Sequence, residues 1–491
     1  MVAELSQAAL TAASAGGAQH AELRIERIRS QSTVLRDVAL ESATDDTQIG
    51  MGLRVVLDGV VGFAATVALG LDDAVAIAAR AIDLARTSAR AGADRVEPLP
   101  VSPLGSVSWT SPFVVDPADV PLATKIARLE HWSARLLDHP AVDHVMAGVL
   151  AVSEEKHFAD LTGTVASQRR VRVHPQCTVA TLADGPMEEL RTLGPPVGRG
   201  WEYLEGDGWD WEGELAALPE LLSEKAAAPS VVAGEYDLVI DPSNLWLTIH
   251  ESIGHATELD RAMGFEAAYA GTSFATPDRL DHLRYGSPLL NVVADRTSEH
   301  GLATVAVDDE GVPAQAFDLI RDGMLVGFQV DRMTAARAGL GHSNGCAYAD
   351  SPLHIPIQRM ANVSLQPAGG PGDGPSVDEL IGGVEHGIYV VGDKSWSIDM
   401  QRYNFQFTGQ RFYRIENGRL AGQLRDVAYQ ATTTDFWGSM VAVGGRGTFL
   451  LAGAFNCGKG QPGQVAPVSH GSPAAVFEGV RVLNTREERS T

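Results

Sequence analysis

The sequence predicts an α+β protein: an N-terminal α+β half with an antiparallel sheet and flanking helices, and a C-terminal half of mainly antiparallel β structure carrying one short helix. Three observations carry this. Polar and apolar residues alternate through "AELRIERIRSQSTVLRDVALESA", as they do in half-buried antiparallel strands. Asp58-Gly59, Asp322-Gly323 and Asn417-Gly418 punctuate β-rich runs, where a type I′ hairpin turn needs two positive φ angles. Segments of helical period separate the early strands, the clearest being "DDAVAIAARAIDLARTSAR", with acids at its start and arginines at its end.

In chain order, residues 2 to about 15 read as an amphipathic helix, followed by strands and the hairpin "MGLRVVLDGVVGFAATV". After the Ala-rich helix, residues 92–117 are rich in Pro and Ser and read as a connector. A helix at about 117–138, strands at about 142–183, a Gly-rich loop and a helix near 211–225 follow. The stretch "AAAPSVVAGEYDLVIDPS" marks a boundary, dividing the chain into residues 1–228 and 229–491. A chain of 491 residues exceeds one ordinary core, so two domains are expected. The last 230 or so residues read as mostly short strands.

Composition narrows the function. With 62 acidic and 38 basic side chains the net charge is -24, which argues against direct nucleic-acid binding. Three widely spaced cysteines do not form a disulfide framework and suit a reducing cytoplasm. No apolar run reaches membrane-spanning length, and the first residues lack the basic region of a signal peptide, so a cytoplasmic protein without membrane attachment is expected.

The chemistry concentrates in "LWLTIHESIGHATELD". His250 and His255 are good zinc ligands, but five residues apart they lie roughly 140° apart around an α-helix. One i→i+5 turn near Gly254, or an end of the helix there, would let them converge. Glu251 could serve as general base on a water, and Glu258 as a further ligand or as a carboxylate steadying one. Elsewhere, "GAFNCGKGQPGQ" has Walker A spacing but lacks the Ser or Thr and the following helix. There Cys457 reads as a residue of an exposed turn, open to metal binding, nucleophilic chemistry or neither. "GHSNG" around Ser343 lacks the strand and helix of a nucleophile elbow. Asp308, Asp309 and Glu310 could bind a hard cation, but read rather as a solvated turn ending at Gly311.

Taken in order, "GMGLRVVLDGVVGFAAT", "HESIGHATELD", "GTSFA", "VDDEGVPAQAFDLIRDGMLVGFQVDR", "PIQRMANVSL", "RFYRIENGRL" and "NCGKGQPGQ" resemble the TldD/PmbA family, also called modulators of DNA gyrase or U62 peptidases. With His250, Glu251 and His255 present, the chain resembles the catalytic TldD-like type. The resemblance implies Zn2+ held by His250, His255 and Cys457, with Glu251 as general base. It implies cleavage of small or unfolded peptides, in peptide maturation or degradation. It also implies a TldE/PmbA-like partner chain in a heterodimer, or a homodimer. Two departures, the absent glycine-rich run before "NFQF" and the extra Pro462, bear on substrate selectivity more than on the metal. The rival readings are a non-catalytic peptide-binding or scaffolding subunit and a Cys457 or Ser343 hydrolase.

Overall fold

A computed structural model describes residues 1–182, 187–369 and 374–488, so the last residue of the 142–183 strand segment lies outside the described residues. The α+β class is as expected. The first 227 residues build one seven-stranded sheet. Its strands are β1 (His20–Arg36), β2 (Ala39–Leu57), β3 (Val60–Thr66), β4 (Ser106–Thr110), β5 (His144–Asp160), β6 (Val165–Thr181) and β7 (Glu188–Arg191), in the order β3-β2-β1-β5-β6-β4 with β7 also on β6. β4 lies within the segment read as a connector and pairs parallel with β6, unlike the antiparallel remainder.

Helices α1 (Val2–Ala15) and α2 (Leu71–Arg90) bury Leu5, Ala9, Ile77 and Ala81 against Leu23, Leu53 and Val55. A Cβ on Gly62 would lie 2.0 Å from the Ala81 carbonyl, so glycine lets α2 approach β3 this closely. Helices α3 (Leu122–Leu137) and α4 (Trp211–Ala227) bury Leu129, Trp132, Leu218 and Leu222 with Val149, Val173 and Cys177.

The C-terminal half contains β8 (Gly234–Ile240), β15 (His386–Ile398), β16 (Asn404–Glu416), β17 (Arg419–Leu424), β18 (Val427–Thr432), β19 (Met440–Val443) and β22 (Ala475–Asn484) in a second sheet. Its pairings run β15-β8-β22-β18-β16 and return to β15, a closed circuit of five strands. β15 and β16 span 13 residues each, longer than the short strands expected. A four-stranded sheet holds β9 (Val292–Asp295), β10 (Ala316–Arg321), β11 (Met324–Leu325) and β14 (Asn362–Leu365). Two pairs complete the half: β12 (Ala347–Tyr348) with β13 (Ile357–Gln358), and β20 (Leu450–Lys459) with β21 (Gln464–Ser472). All three predicted hairpin turns have positive φ at both central residues: 49° and 77° at Asp58-Gly59, 50° and 76° at Asp322-Gly323, 49° and 73° at Asn417-Gly418.

The alternation of β1 hides an unexpected arrangement. Its polar face is not solvated. Glu22, Arg24 and Glu26, with Arg54 on β2, Glu154 and Lys156 on β5 and Arg170 and Arg172 on β6, are buried beneath the C-terminal half. The Asp308–Glu310 segment, expected to be a solvated turn, is buried in the same layer. Arg54 holds Glu310 at 2.5 Å and Glu22 at 2.6 Å, and Lys156 holds Asp309 at 2.7 Å. Asp309 and Glu310 are buried against cations that come from the other half of the chain, which their own segment does not supply.

Candidate metal centre

Helix α5 (Pro242–Ile249) starts where Asp241 accepts a hydrogen bond from the Ser243 amide, with Pro242 preset for the first turn. All eight of its residues are buried. It leads directly into one π-helical turn, His250–Gly254, closed by the His255 amide donating to the His250 carbonyl. This is the local widening that the five-residue spacing requires. The His250 and His255 ring centroids stand 4.7 Å apart. Gly254 keeps a right-handed φ of -52°, so it neither ends the helix nor needs a left-handed conformation. A Cβ there would lie 2.6 Å from the Met360 sulfur, so the glycine supplies room.

The widened turn frees backbone groups, and buried side chains take them up. The Tyr285 hydroxyl donates to the Ser252 carbonyl, and Gln329 Nε2 to the Gly254 carbonyl at 2.8 Å. The Ser252 hydroxyl donates to the Thr248 carbonyl and accepts from Trp437 Nε1 at 2.9 Å.

Cys457 does not lie in an exposed turn. It sits in β20, 3% exposed, because the Gly/Pro-rich turn begins only after Lys459. Its Sγ is 3.7 Å from His255 Nε2, and one ligand atom from each of His250, His255 and Cys457 lies within 4.8 Å of the others. Glu258 stands behind this group: its Oε2 accepts from His255 Nδ1 at 2.8 Å. Burial pushes the Glu258 carboxyl up, but Lys459, His255 and Arg261 outweigh it and hold the group well below the usual carboxylate range. Lys459, at Walker A spacing in the sequence, is instead a buried partner of Glu258 at 3.1 Å and Asp260 at 2.7 Å. Ser343 donates to the Val330 carbonyl at 3.2 Å and has no base beside it in that contact.

His470 was not a sequence candidate. Its Nδ1 lies 3.0 Å from the Val363 carbonyl, which can only accept, so Nδ1 carries the proton. Its Nε2, 2.7 Å from His250 Nδ1, is then the acceptor, and His250 must donate. Each candidate ligand histidine thus has its Nδ1 proton engaged and its Nε2 lone pair free. Burial lowers the pKa of both, keeping them neutral. Burial also pushes the Cys457 thiol up to about 11, partly countered by Arg359, whose Nη2 is 3.2 Å from Sγ. A divalent cation would reverse that penalty by taking the thiolate as ligand. Two neutral imidazoles and one thiol, buried together with oriented lone pairs, fit catalytic zinc and leave a fourth position for water.

A cavity of about 560 Å³ opens onto this group, lined by Leu150, His174 and Leu193–Pro196 of the N-terminal half and by Trp246, Glu251, Trp396, Arg402 and Phe455 of the C-terminal half. Glu251 shares it with all three candidate ligands. Arg402 forms an ion pair with Glu251, a second contact that the sequence left unmarked. The only local signal for His470 is a histidine on the strand that pairs with that of Cys457; Arg402 has none.

A family model described as the PmbA/TldA metallopeptidase C-terminal domain matches residues 233–484, and one described as PmbA/TldA metallopeptidase domain 1 matches residues 21–85. The chain is 26% identical over 474 residues to a protein of Methanothermobacter thermautotrophicus named metalloprotease, covering 95% of this chain and 96% of that one. It is 25% identical over 482 residues to a metalloprotease TldD homolog of Haemophilus influenzae, covering 95% and 93%. In fold it is similar to the crystal structure of TldE from Thermococcus kodakarensis, with a TM-score of 0.71, 15% identity and 97% and 99% coverage.

Proposed function

The chain belongs to the TldD/PmbA metallopeptidase family, and from that premise we propose that it is a zinc-dependent peptidase acting on small or unfolded peptides. The observation that carries the reading is the convergence of His250, His255 and Cys457 within 4.8 Å on the wall of a cavity of about 560 Å³. Bound by these residues, zinc supplies a Lewis acid that polarises the scissile carbonyl and acidifies a water. Glu251 takes the proton of the attacking water and returns it to the leaving amine. Glu258 and His470 turn the two imidazoles so that Nε2 of each is available, and the buried walls exclude bulk water from the reacting groups. A folded protein cannot enter such a cavity, which favours short or unfolded chains. Peptide maturation and peptide degradation both suit that preference.

A TldE/PmbA-like chain as partner, or a second copy of this one, belongs to the same proposal, as does a reducing cytoplasm for three buried free cysteines. No helix among the described residues is long and apolar enough to cross a membrane. The test measures zinc content and peptide cleavage in wild type and Glu251→Ala. The variant is expected to keep zinc and to lose roughly 10²–10⁴-fold in rate. A variant that cleaves as fast as wild type refutes the mechanism. A wild type that holds no zinc and cleaves nothing, alone or with a TldE-like chain, favours a scaffolding subunit instead.

A further inference from the structure

Arg402 occupies an unusual place in the cavity. It sits in the turn between β15 and β16 with φ at 61°, a conformation that non-glycine residues rarely adopt. The turn is clamped from several sides. Asp399 accepts from the amides of Gln401, Tyr403 and Asn404. The amides of Thr272 and Phe274 donate to the carbonyls of Met400 and Gln401, and the Thr433 hydroxyl donates to the Arg402 carbonyl. This support aims a long cationic side chain, 15% exposed, at Glu251, which is 6% exposed. Only one edge of the guanidinium is used: Nη1 donates to Glu251 Oε2, and among the described residues the buried Nε has no hydrogen-bond partner. The cavity's other arginine, Arg191, is already bound to Asp393 at 2.8 Å.

The pair bears on the role proposed for Glu251, because a cation on one oxygen weakens the carboxylate as a base. A general base works through an oxygen within reach of water, and here one of the two, Oε2, is held by Arg402. A guanidinium presents a planar fork that matches a carboxylate in two parallel hydrogen bonds. An incoming carboxylate can therefore take the outer Nη1–Nη2 edge of the guanidinium and release Glu251. A carboxamide in the same place carries no charge and cannot compete for the fork on those terms.

Resting on the peptidase reading, we propose that Arg402 is a specificity-determining residue that binds a substrate carboxylate next to the scissile bond, and that its binding frees Glu251. The substrate class is then peptides with a carboxylate close to the cleavage point, either the free α-carboxylate or an Asp or Glu side chain. Occupancy of the subsite and availability of the base become one event, which favours the right substrate by assembling the site around it.

The test uses the zinc-loaded full chain and three probes: acetyl-tetra-alanine as the free acid, its carboxamide, and acetyl-tri-alanyl-aspartic acid as the carboxamide. Binding is read from tryptophan fluorescence, since Trp246 and Trp396 line the cavity. At least one of the two carboxylate probes is expected to bind about ten- to a hundredfold tighter than the plain carboxamide, as a charge-assisted pair would give. Tight binding of the free acid assigns the α-carboxylate, and of the aspartyl probe the side chain. The advantage should vanish in Arg402→Ala and shrink in Arg402→Lys, which keeps the charge but not the fork. Equal binding of all three probes by wild type, binding of none, or an advantage that survives in Arg402→Ala overturns the proposal. Cleavage is followed separately. Selective binding without cleavage of any probe or of denatured casein, alone or with a TldE-like chain added, refutes the peptidase reading and leaves the subsite standing, whereas cleavage with no carboxylate preference does the reverse.

Discussion

His250 and His255 carry the same ring but rest on different supports. His255 donates to the charged carboxylate of Glu258, and His250 to the neutral imidazole of His470, itself fixed by the Val363 carbonyl. The second support is testable because glutamine can copy it, accepting through its side-chain oxygen and donating through its nitrogen. His470→Phe should weaken zinc binding about 10–100-fold, measured by competition with a chromophoric chelator, whereas His470→Gln should stay within a few fold of wild type. Equal losses in both would mean that His470 matters only as packing.

At the scale of the element, the π-helical turn depends on side chains that replace lost backbone hydrogen bonds. Tyr285, fully buried, supplies one of them to the Ser252 carbonyl. Tyr285→Phe removes that donor with almost no change of shape, so it should cost about 1–3 kcal/mol in urea unfolding, the penalty for a buried acceptor left unpaired. Its zinc affinity should fall as well, because His255 follows the turn directly. A variant as stable as wild type would show that the Ser252 carbonyl finds another donor.

Across the whole molecule, the charged layer between the halves dominates. Arg54 joins Glu22 of the first sheet to Glu310 of the C-terminal half. Arg54→Met removes the cation shared by two buried carboxylates, of which Glu22 keeps only His20 and Arg332, and should cost about 3–5 kcal/mol, read from urea midpoints at neutral pH. Burial pushes the Glu22 carboxyl up, yet Arg54, His20 and Arg332 outweigh it and hold the pKa at about 2. That contribution is therefore present above the ordinary 4.5 and is lost as pH falls toward 2. Asp331 behaves oppositely: burial and the nearby Glu310 raise its pKa from 3.8 to about 7. Between those values the folded state binds the proton more tightly than the unfolded one, so this group's share of stability falls as pH rises through the window. Asp331→Asn should flatten the slope of urea midpoint against pH between about 4 and 7; an unchanged slope would exclude Asp331 as its source.

The sequence by itself determined what depends on neighbours along the chain. The three Asp-Gly and Asn-Gly turns were legible because only certain residues accept two positive φ angles in succession. The widened turn at Gly254 was legible because five residues of ordinary helix cannot aim two histidines at one point. The same local rules misread Cys457 and the Asp308–Glu310 segment. A glycine-rich flank resembles an exposed turn, and three acids resemble a solvated one, unless their partners are known. Those partners are distant: Arg54 lies more than 250 residues before Glu310, and Cys457 more than 200 after His255. Cys457 was open to metal binding by its residue type, but only the family resemblance grouped it with His250 and His255, and His470 and Arg402 did not enter at all. Only the tertiary structure decided these. Pairing of β20 with β21 and the turn between β15 and β16 set which side chains share a cavity, and no local pattern records a contact between strands.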